Sequence, residues 1–135
     1  MSQEKKHKVL VLEDERNLAN AVREAFMMRG FTPIMVESVE DGLRELENAE
    51  TVDVIWLDHY LLGSKNGVDF VVQLKASPKW RNIPIFVVSN STSTSNIGSY
   101  IQLGVTNYYT KADYDLDQIL SDIQFTLEQK PGTAV

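Results

Sequence analysis

Val9-Leu10-Val11-Leu12-Glu13-Asp14 decides the fold: a compact run of valine and leucine, stopped abruptly by two acids. Apolar residues do not alternate with polar ones here, so a strand built from this run is covered on both faces. That is the pattern of a parallel sheet. Two further runs repeat it. Val52-Asp53-Val54-Ile55-Trp56-Leu57 stops at Asp58, and Ile83-Pro84-Ile85-Phe86-Val87-Val88 ends at Ser89. Thr32 to Val36 reads as another strand, with Pro33 near its start pointing to a sheet edge because proline lacks the ladder N–H. Asn107 to Thr110 makes a short fifth strand that delivers Lys111.

Helical patterns fill the intervals. Leu18, Ala21, Val22, Ala25, Phe26 and Met28 recur three and four apart and are closed by Gly30. Ser38 can cap a helix presenting Val39, Leu43 and Leu46, with Glu40 and Asp41 in its first turn. After a loop holding Gly63, Ser64, Asn66 and Gly67, a third helix carries Val68, Val71, Val72 and Leu74. Asn90 to Asn96 contains only Ser, Thr and Asn; it gives way to a helix with Ile97, Ile101 and Leu103, closed by Gly104. The last helix, about Asp115 to Glu128, buries Leu116, Ile119, Leu120, Ile123 and Leu127. Strand–helix alternation of this kind predicts a doubly wound α/β fold, a five-stranded parallel sheet with helices on both faces.

Composition bounds the function. The 135 residues are 43% hydrophobic and 24% charged, the make-up of one globular domain. With no cysteine, a disulfide scaffold, a thiolate zinc site, an iron–sulfur cluster and a cysteine nucleophile are all excluded. The net charge of −6 argues against nucleic-acid binding as the main activity. Apolar runs of about six residues fall far short of the ~20 that span a membrane, and no segment reads as an export signal. A cytoplasmic protein is expected, with residues 1–7 as a disordered extension, 8–128 as the domain and 129–135 as a tail.

In open α/β sheets the site lies beyond the carboxyl ends of the strands. Those ends carry Glu13, Asp14, Asp58, Ser89 and Lys111, while Glu37 ends the edge strand and is left to solvent. One acid after a strand is usually a turn residue or helix cap. Three converging acids are harder to dismiss, since two carboxylates ~4 Å apart repel by about 4 kcal/mol at an effective dielectric near 20. One lysine cannot offset three acids, and oxygen ligands favour a hard ion such as Mg²⁺. With that ion bound, Asp58 becomes a plausible nucleophile toward phosphorus, Lys111 a partner for a phosphoryl oxygen and Ser89 a hydrogen-bond donor to another.

Val9 to Glu15, Ile55 to Asp58, Val87 to Ser89 and Gly104 to Lys111 together resemble the signature of the receiver domain of two-component response regulators. The resemblance runs from about Lys8 to Glu128. It implies the flavodoxin-like fold with strand order 2-1-3-4-5. It implies that Asp58 accepts a phosphoryl group from a phosphohistidine on a sensor histidine kinase or a histidine phosphotransfer protein, with Mg²⁺ bound by Asp14, Asp58, the carbonyl of Tyr60 and, through water, Glu13. Ser89 and Tyr108 match the family's switch pair, and the helix Ile97–Leu103, the fifth strand and the last helix match its output surface. That surface would take a downstream protein or a second copy. The implied product is a signalling switch with no external substrate to turn over.

Several positions depart from the family pattern. Ala112 replaces the proline that most often follows the lysine, so a cis peptide is not assured there. The segment Asp58 to Gly67 is one residue longer than common, with Leu62 in place of the usual proline. Asn90 stands where a small residue is usual, and His59 and Tyr60 replace more usual neighbours of Asp58. His59 is a tempting relay or metal ligand, but its side chain should leave the strand end on the face opposite Asp58, toward packing or solvent. Tyr60 and Ser91 match positions that tune hydrolysis of the phosphoryl group. A receiver cut from a larger regulator or hybrid kinase fits the same residues. An aspartyl-phosphate phosphatase fits poorly, since Tyr60 stands where its second acid belongs. A nucleotide- or flavin-binding protein would want glycines in the loop after the first strand.

Overall fold

The computed structural model describes residues 6–129. Its elements in chain order are β1 (Lys8–Leu12), α1 (Arg16–Met28), β2 (Thr32–Val36), α2 (Val39–Asn48), β3 (Val54–Leu57) and α3 (Gly67–Lys75). They continue with β4 (Ile85–Ser89), α4 (Thr94–Leu103), β5 (Asn107–Thr110), a 3₁₀ turn over Lys111–Asp113 and α5 (Leu116–Glu128). All five strands are parallel, in the order β2-β1-β3-β4-β5. This is the flavodoxin-like arrangement expected, with Pro33 on the edge strand β2.

Strand residues alternate between two cores. Val9, Val11, Val54, Trp56, Phe86 and Val88 face α1 and α5, where Phe26, Leu120 and Ile123 cover them. Leu10, Leu12, Ile55, Leu57, Ile85 and Val87 face α2, α3 and α4, beneath Leu46, Phe70, Leu74 and Tyr100. Each large apolar side chain hidden in this way stabilises the fold by roughly 1.5–3 kcal/mol relative to exposure. Two-sided burial explains why the strand sequences lack polar alternation.

The helix ends follow their sequences. Ser38 accepts from the Asp41 N–H, Asn66 and Asp69 form a reciprocal capping box, and Asp115 accepts from Gln118. Gly30 and Gly104 sit at positive φ just past α1 and α4. β3 and β4 begin two residues later than their apolar runs. Asp53 is diverted to accept from the Lys8 N–H at 2.8 Å, and Pro84 has no N–H with which to join a ladder. At the N-terminal end, His7 lies within the described residues: its carbonyl accepts from the Thr32 N–H. Residues 1–5 and 130–135 lie outside the described residues, as does most of the expected extension and tail.

Four residues expected inside the helix faces lie outside them. Met28 is 86% exposed and Ile101 66% exposed, and Ala21 and Val72 are exposed as well. In α1 the inward stripe is narrowed to Val22 and Phe26, the only residues of that helix that reach the core fully. In α4 the buried residue is Tyr100, one position before Ile101, which rotates Ile101 by a hundred degrees toward solvent. No described helix is long and apolar enough to cross a membrane. Every peptide bond among the described residues is trans, the Lys111–Ala112 bond included.

Candidate functional site

Register places the acids. Leu12 pairs with Leu57 across β1 and β3, so Glu13 and Asp58 are the next residues on adjacent central strands. Their backbones are tied at this level, Asp58 N–H to the Leu12 carbonyl and Glu13 N–H to the Val36 carbonyl, both at 3.0 Å. Ser89 pairs with Thr110 at the ends of β4 and β5, which puts Lys111 on the same rim. Glu13, Asp14 and Asp58 each offer a carboxylate oxygen, all within 4.8 Å of one another.

Lys111 reaches into this cluster. Its Nζ lies 3.1 Å from Asp58 Oδ2 and 3.2 Å from Glu13 Oε1. Glu13 Oε2 accepts from the Glu15 N–H at 3.2 Å. Glu13 Oε1 and Asp58 Oδ1 are buried and accept no hydrogen bond among the described residues. For Glu13 Oε1 the nearby ammonium supplies charge without hydrogen-bond geometry; for Asp58 Oδ1 nothing compensates. Buried carboxylate oxygens left this way are costly. Oxygen donors, excess negative charge and two unfilled acceptors fit a hard divalent cation.

The electrostatics agree with the geometry. Burial first, then the Asp58 charge, pushes the Glu13 carboxyl from 4.5 up to about 7, against the pull of Lys111. For Lys111, burial favours the neutral amine, but the Asp58 and Glu13 charges outweigh it and its pKa is raised.

Ser89 is fully buried at the floor of the rim, where its hydroxyl accepts from the Ser91 N–H at 3.1 Å. Tyr108 is turned inward, its hydroxyl donating to the Ser91 carbonyl at 2.6 Å. Tyr109 takes the other face and donates to Asp122 at 2.6 Å. Tyr60 is 56% exposed beside the rim. The long segment after it is fastened back onto the edge of the sheet: Leu62 donates to the Glu37 carbonyl at 3.0 Å and forms a parallel bridge with Ser38.

Of the two fates open to His59, packing and solvent, it takes the first, and with a polar partner. It is 4% exposed, and its Nδ1 lies 2.7 Å from the Tyr100 hydroxyl. Tyr100 went unnoticed in the sequence because a tyrosine at helical spacing between Ile97 and Leu103 looks like ordinary core. The signal lay in Gly67. A Cβ there would overlap the Tyr100 hydroxyl, and would stand 3.0 Å from the Asp58 carbonyl and 3.2 Å from His59 Cα.

Pocket geometry elsewhere adds little to the rim. A cavity of about 600 Å³ opens between α1 and α2 beside Glu13, lined by Arg16, Arg23 and Arg44 and by Glu37, Asp41 and Glu45. Its charges are mixed and mostly solvated.

A family model for the response regulator receiver domain matches residues 9–124. The phosphate regulon transcriptional regulatory protein PhoB of Escherichia coli K12 is 28% identical over 104 residues, 77% of this chain and 44% of that protein. The two-component response regulator ORR12 of Oryza sativa subsp. japonica is 29% identical over 117 residues, 85% of this chain and 96% of that protein. The chain thus spans less than half of the E. coli regulator but nearly all of the rice protein. The Mn²⁺-bound crystal structure of response regulator Rcp1 superposes with a TM-score of 0.80 at 24% identity, covering 92% of this chain and 96% of that one. With the family model spanning β1 to α5 and the strand order and rim already described, the chain belongs to the response regulator receiver domains of two-component systems.

Proposed function

We propose that the chain accepts a phosphoryl group on Asp58 from a phosphohistidine of a sensor histidine kinase or histidine phosphotransfer protein in the cytoplasm. The observation that carries this reading is the state of the Asp58 carboxylate: Oδ2 is held 3.1 Å from Lys111 Nζ, and Oδ1 is buried without a partner. One oxygen is oriented and the other is free to attack phosphorus. The new O–P bond forms as the P–N bond of the donor breaks, and Lys111 then pairs with a phosphoryl oxygen. Glu13, Asp14, Asp58 and the carbonyl of Tyr60 would hold Mg²⁺, which when bound offsets the charge of carboxylates and phosphoryl oxygens alike. Ser89 and Tyr108 then report the change to the surface of α4, β5 and α5, where a downstream protein or second copy docks. Incubation with Mg²⁺ and acetyl phosphate tests the reading. A mass gain of one phosphoryl group is expected, and no gain with any small donor overturns it.

Metal binding should carry a pH signature. The folded chain holds an extra proton on Glu13 between about 4.5 and about 7. That contribution to metal-free stability is fully present below the lower value and is lost as pH rises through the upper one. Mg²⁺ needs the ionised carboxylate, so binding below neutrality releases a proton. Apparent Mg²⁺ affinity should therefore rise about tenfold per pH unit toward neutrality and level off above it. Calorimetric titrations across this window check it; a flat affinity would exclude Glu13 from the metal set.

Tyr60 should set how long the modification lasts. Its half-exposed ring flanks the rim beside His59, with ring centroids 4.8 Å apart. Bulk at this place hinders an approaching water. Tyr60→Ala should shorten the phosphoryl half-life about fivefold, or ~1 kcal/mol of barrier. Equal decay in the two proteins, followed by loss of label in excess EDTA, would refute it.

A further inference from the structure

Four aromatic rings run in a row from the rim to β5. Tyr60 meets His59 edge-on at 4.8 Å between centroids, His59 meets Tyr100 edge-on at 5.7 Å, and Tyr100 lies 5.8 Å from Tyr108. The middle of the row is dry: His59 is 4% exposed and Tyr100 is fully buried. The one hydrogen bond in it joins His59 Nδ1 to the Tyr100 hydroxyl at 2.7 Å. Breaking a bond this deeply buried leaves polar groups without a partner, which makes it a stiff link.

The link joins two parts of the molecule that matter. His59 follows Asp58 directly in the chain, and Tyr100 is the one fully buried side chain of α4. Gly67 leaves the space in which the hydroxyl sits, so the backbone of Asp58 and His59 rests against the same pocket. Next to it in α4, about a hundred degrees around the helix, Ile101 stands exposed. We propose that the His59–Tyr100 hydrogen bond is a positioning contact that transmits the state of Asp58 to α4, in parallel with the Ser89–Tyr108 pair. New charge on Asp58 displaces the 58–60 backbone, the His59 ring carries the displacement to Tyr100, and α4 re-presents its outer face. This rests on Asp58 being the phosphoacceptor.

The test uses the full chain, ¹⁵N-labelled, with Mg²⁺ and beryllofluoride as phosphoryl mimic. Bound ¹⁹F signals report occupancy of Asp58; amide shifts of Ile101 and Gln102 report α4. Tyr100→Phe should bind beryllofluoride as the parent does, while its α4 shifts fall about fivefold, the worth of one neutral hydrogen bond. His59→Asn, which keeps a hydrogen-bonding atom near the position of Nδ1, should retain more of the α4 response than His59→Leu. The histidine pair carries the test if Tyr100→Phe fails to fold. Parent-like α4 shifts in occupied Tyr100→Phe, or equal responses from the two His59 variants, overturn the proposal. Absence of bound beryllofluoride in the parent protein overturns the Asp58 reading itself, and the transmission with it.

Discussion

Asp58→Asn is expected to gain no mass from acetyl phosphate and Mg²⁺, while the parent chain gains one phosphoryl group. Three carboxylates share the rim, and the result singles out one of them. Glu13 is a poor nucleophile, because burial and the Asp58 charge raise its pKa to about 7 and one oxygen is engaged by the Glu15 N–H. Asp14 lies nearer the surface, with no lysine among the described residues within salt-bridge reach to orient it. Glu13 has Oε2 held by the Glu15 N–H and Oε1 beside Lys111 at 3.2 Å, whereas Lys111 orients one oxygen of Asp58 and leaves the other without hydrogen bond or ammonium. Asparagine keeps its shape and the backbone bond to Leu12 but not the anionic oxygen. Residual modification of the variant would move the acceptor to Glu13 or Asp14.

Unfolding would be a trivial reason for that loss, and the charges argue against it. Removing Asp58 ends its repulsion with Glu13, the second largest cause of the raised Glu13 pKa. Lys111 keeps Glu13 as a partner at 3.2 Å. The variant should therefore melt no lower than the parent in the absence of metal, and the two measurements on one sample separate chemistry from stability.

The sheet was legible because both of its faces are buried. Uninterrupted apolar runs such as Val9 to Leu12 have few other uses in a chain of this size, and their abrupt acidic ends point to the rim. Glu13, Asp14, Asp58, Ser89 and Lys111 could be assembled from strand ends alone, since parallel register brings equivalent ends together. The faces of the helices were less legible. In α4, Ile97, Tyr100, Ile101 and Leu103 occupy more than one side of the wheel, and periodicity cannot choose among them. The choice is made by contacts distant in sequence, the gap at Gly67 and the buried His59. Met28 failed for a similar reason: two residues after the buried Phe26, it stands about two hundred degrees around α1 from it and is 86% exposed. Side-chain pairs such as His59–Tyr100 join residues 41 apart, and no local pattern encodes them.

Gly67→Ala is expected to destabilise the fold, although helix propensity predicts the reverse. Gly67 opens α3, where alanine is the better helix former by up to ~1 kcal/mol. Its φ lies outside the region that favours glycine, so backbone freedom gives no reason for it. The reason is space. An added Cβ would collide with the Tyr100 hydroxyl and crowd the Asp58 carbonyl at 3.0 Å and His59 Cα at 3.2 Å. Two of the three neighbours are backbone atoms that cannot rotate away, and overpacking of this kind costs about 1–3 kcal/mol. The steric cost exceeds the propensity gain, for a net loss of about 2 kcal/mol, or roughly 6 °C in Tm. Deleting the hydroxyl first should soften the collision. In a Tyr100→Phe background, Gly67→Ala should cost about 1 kcal/mol less, a coupling that a double-mutant cycle resolves. Equal cost in both backgrounds would mean that the Asp58 and His59 backbone alone fixes the glycine. A gain in stability would mean that α3 can shift away from α4, and that the pocket holding Tyr100 beneath the loop after Asp58 is softer than its packing indicates.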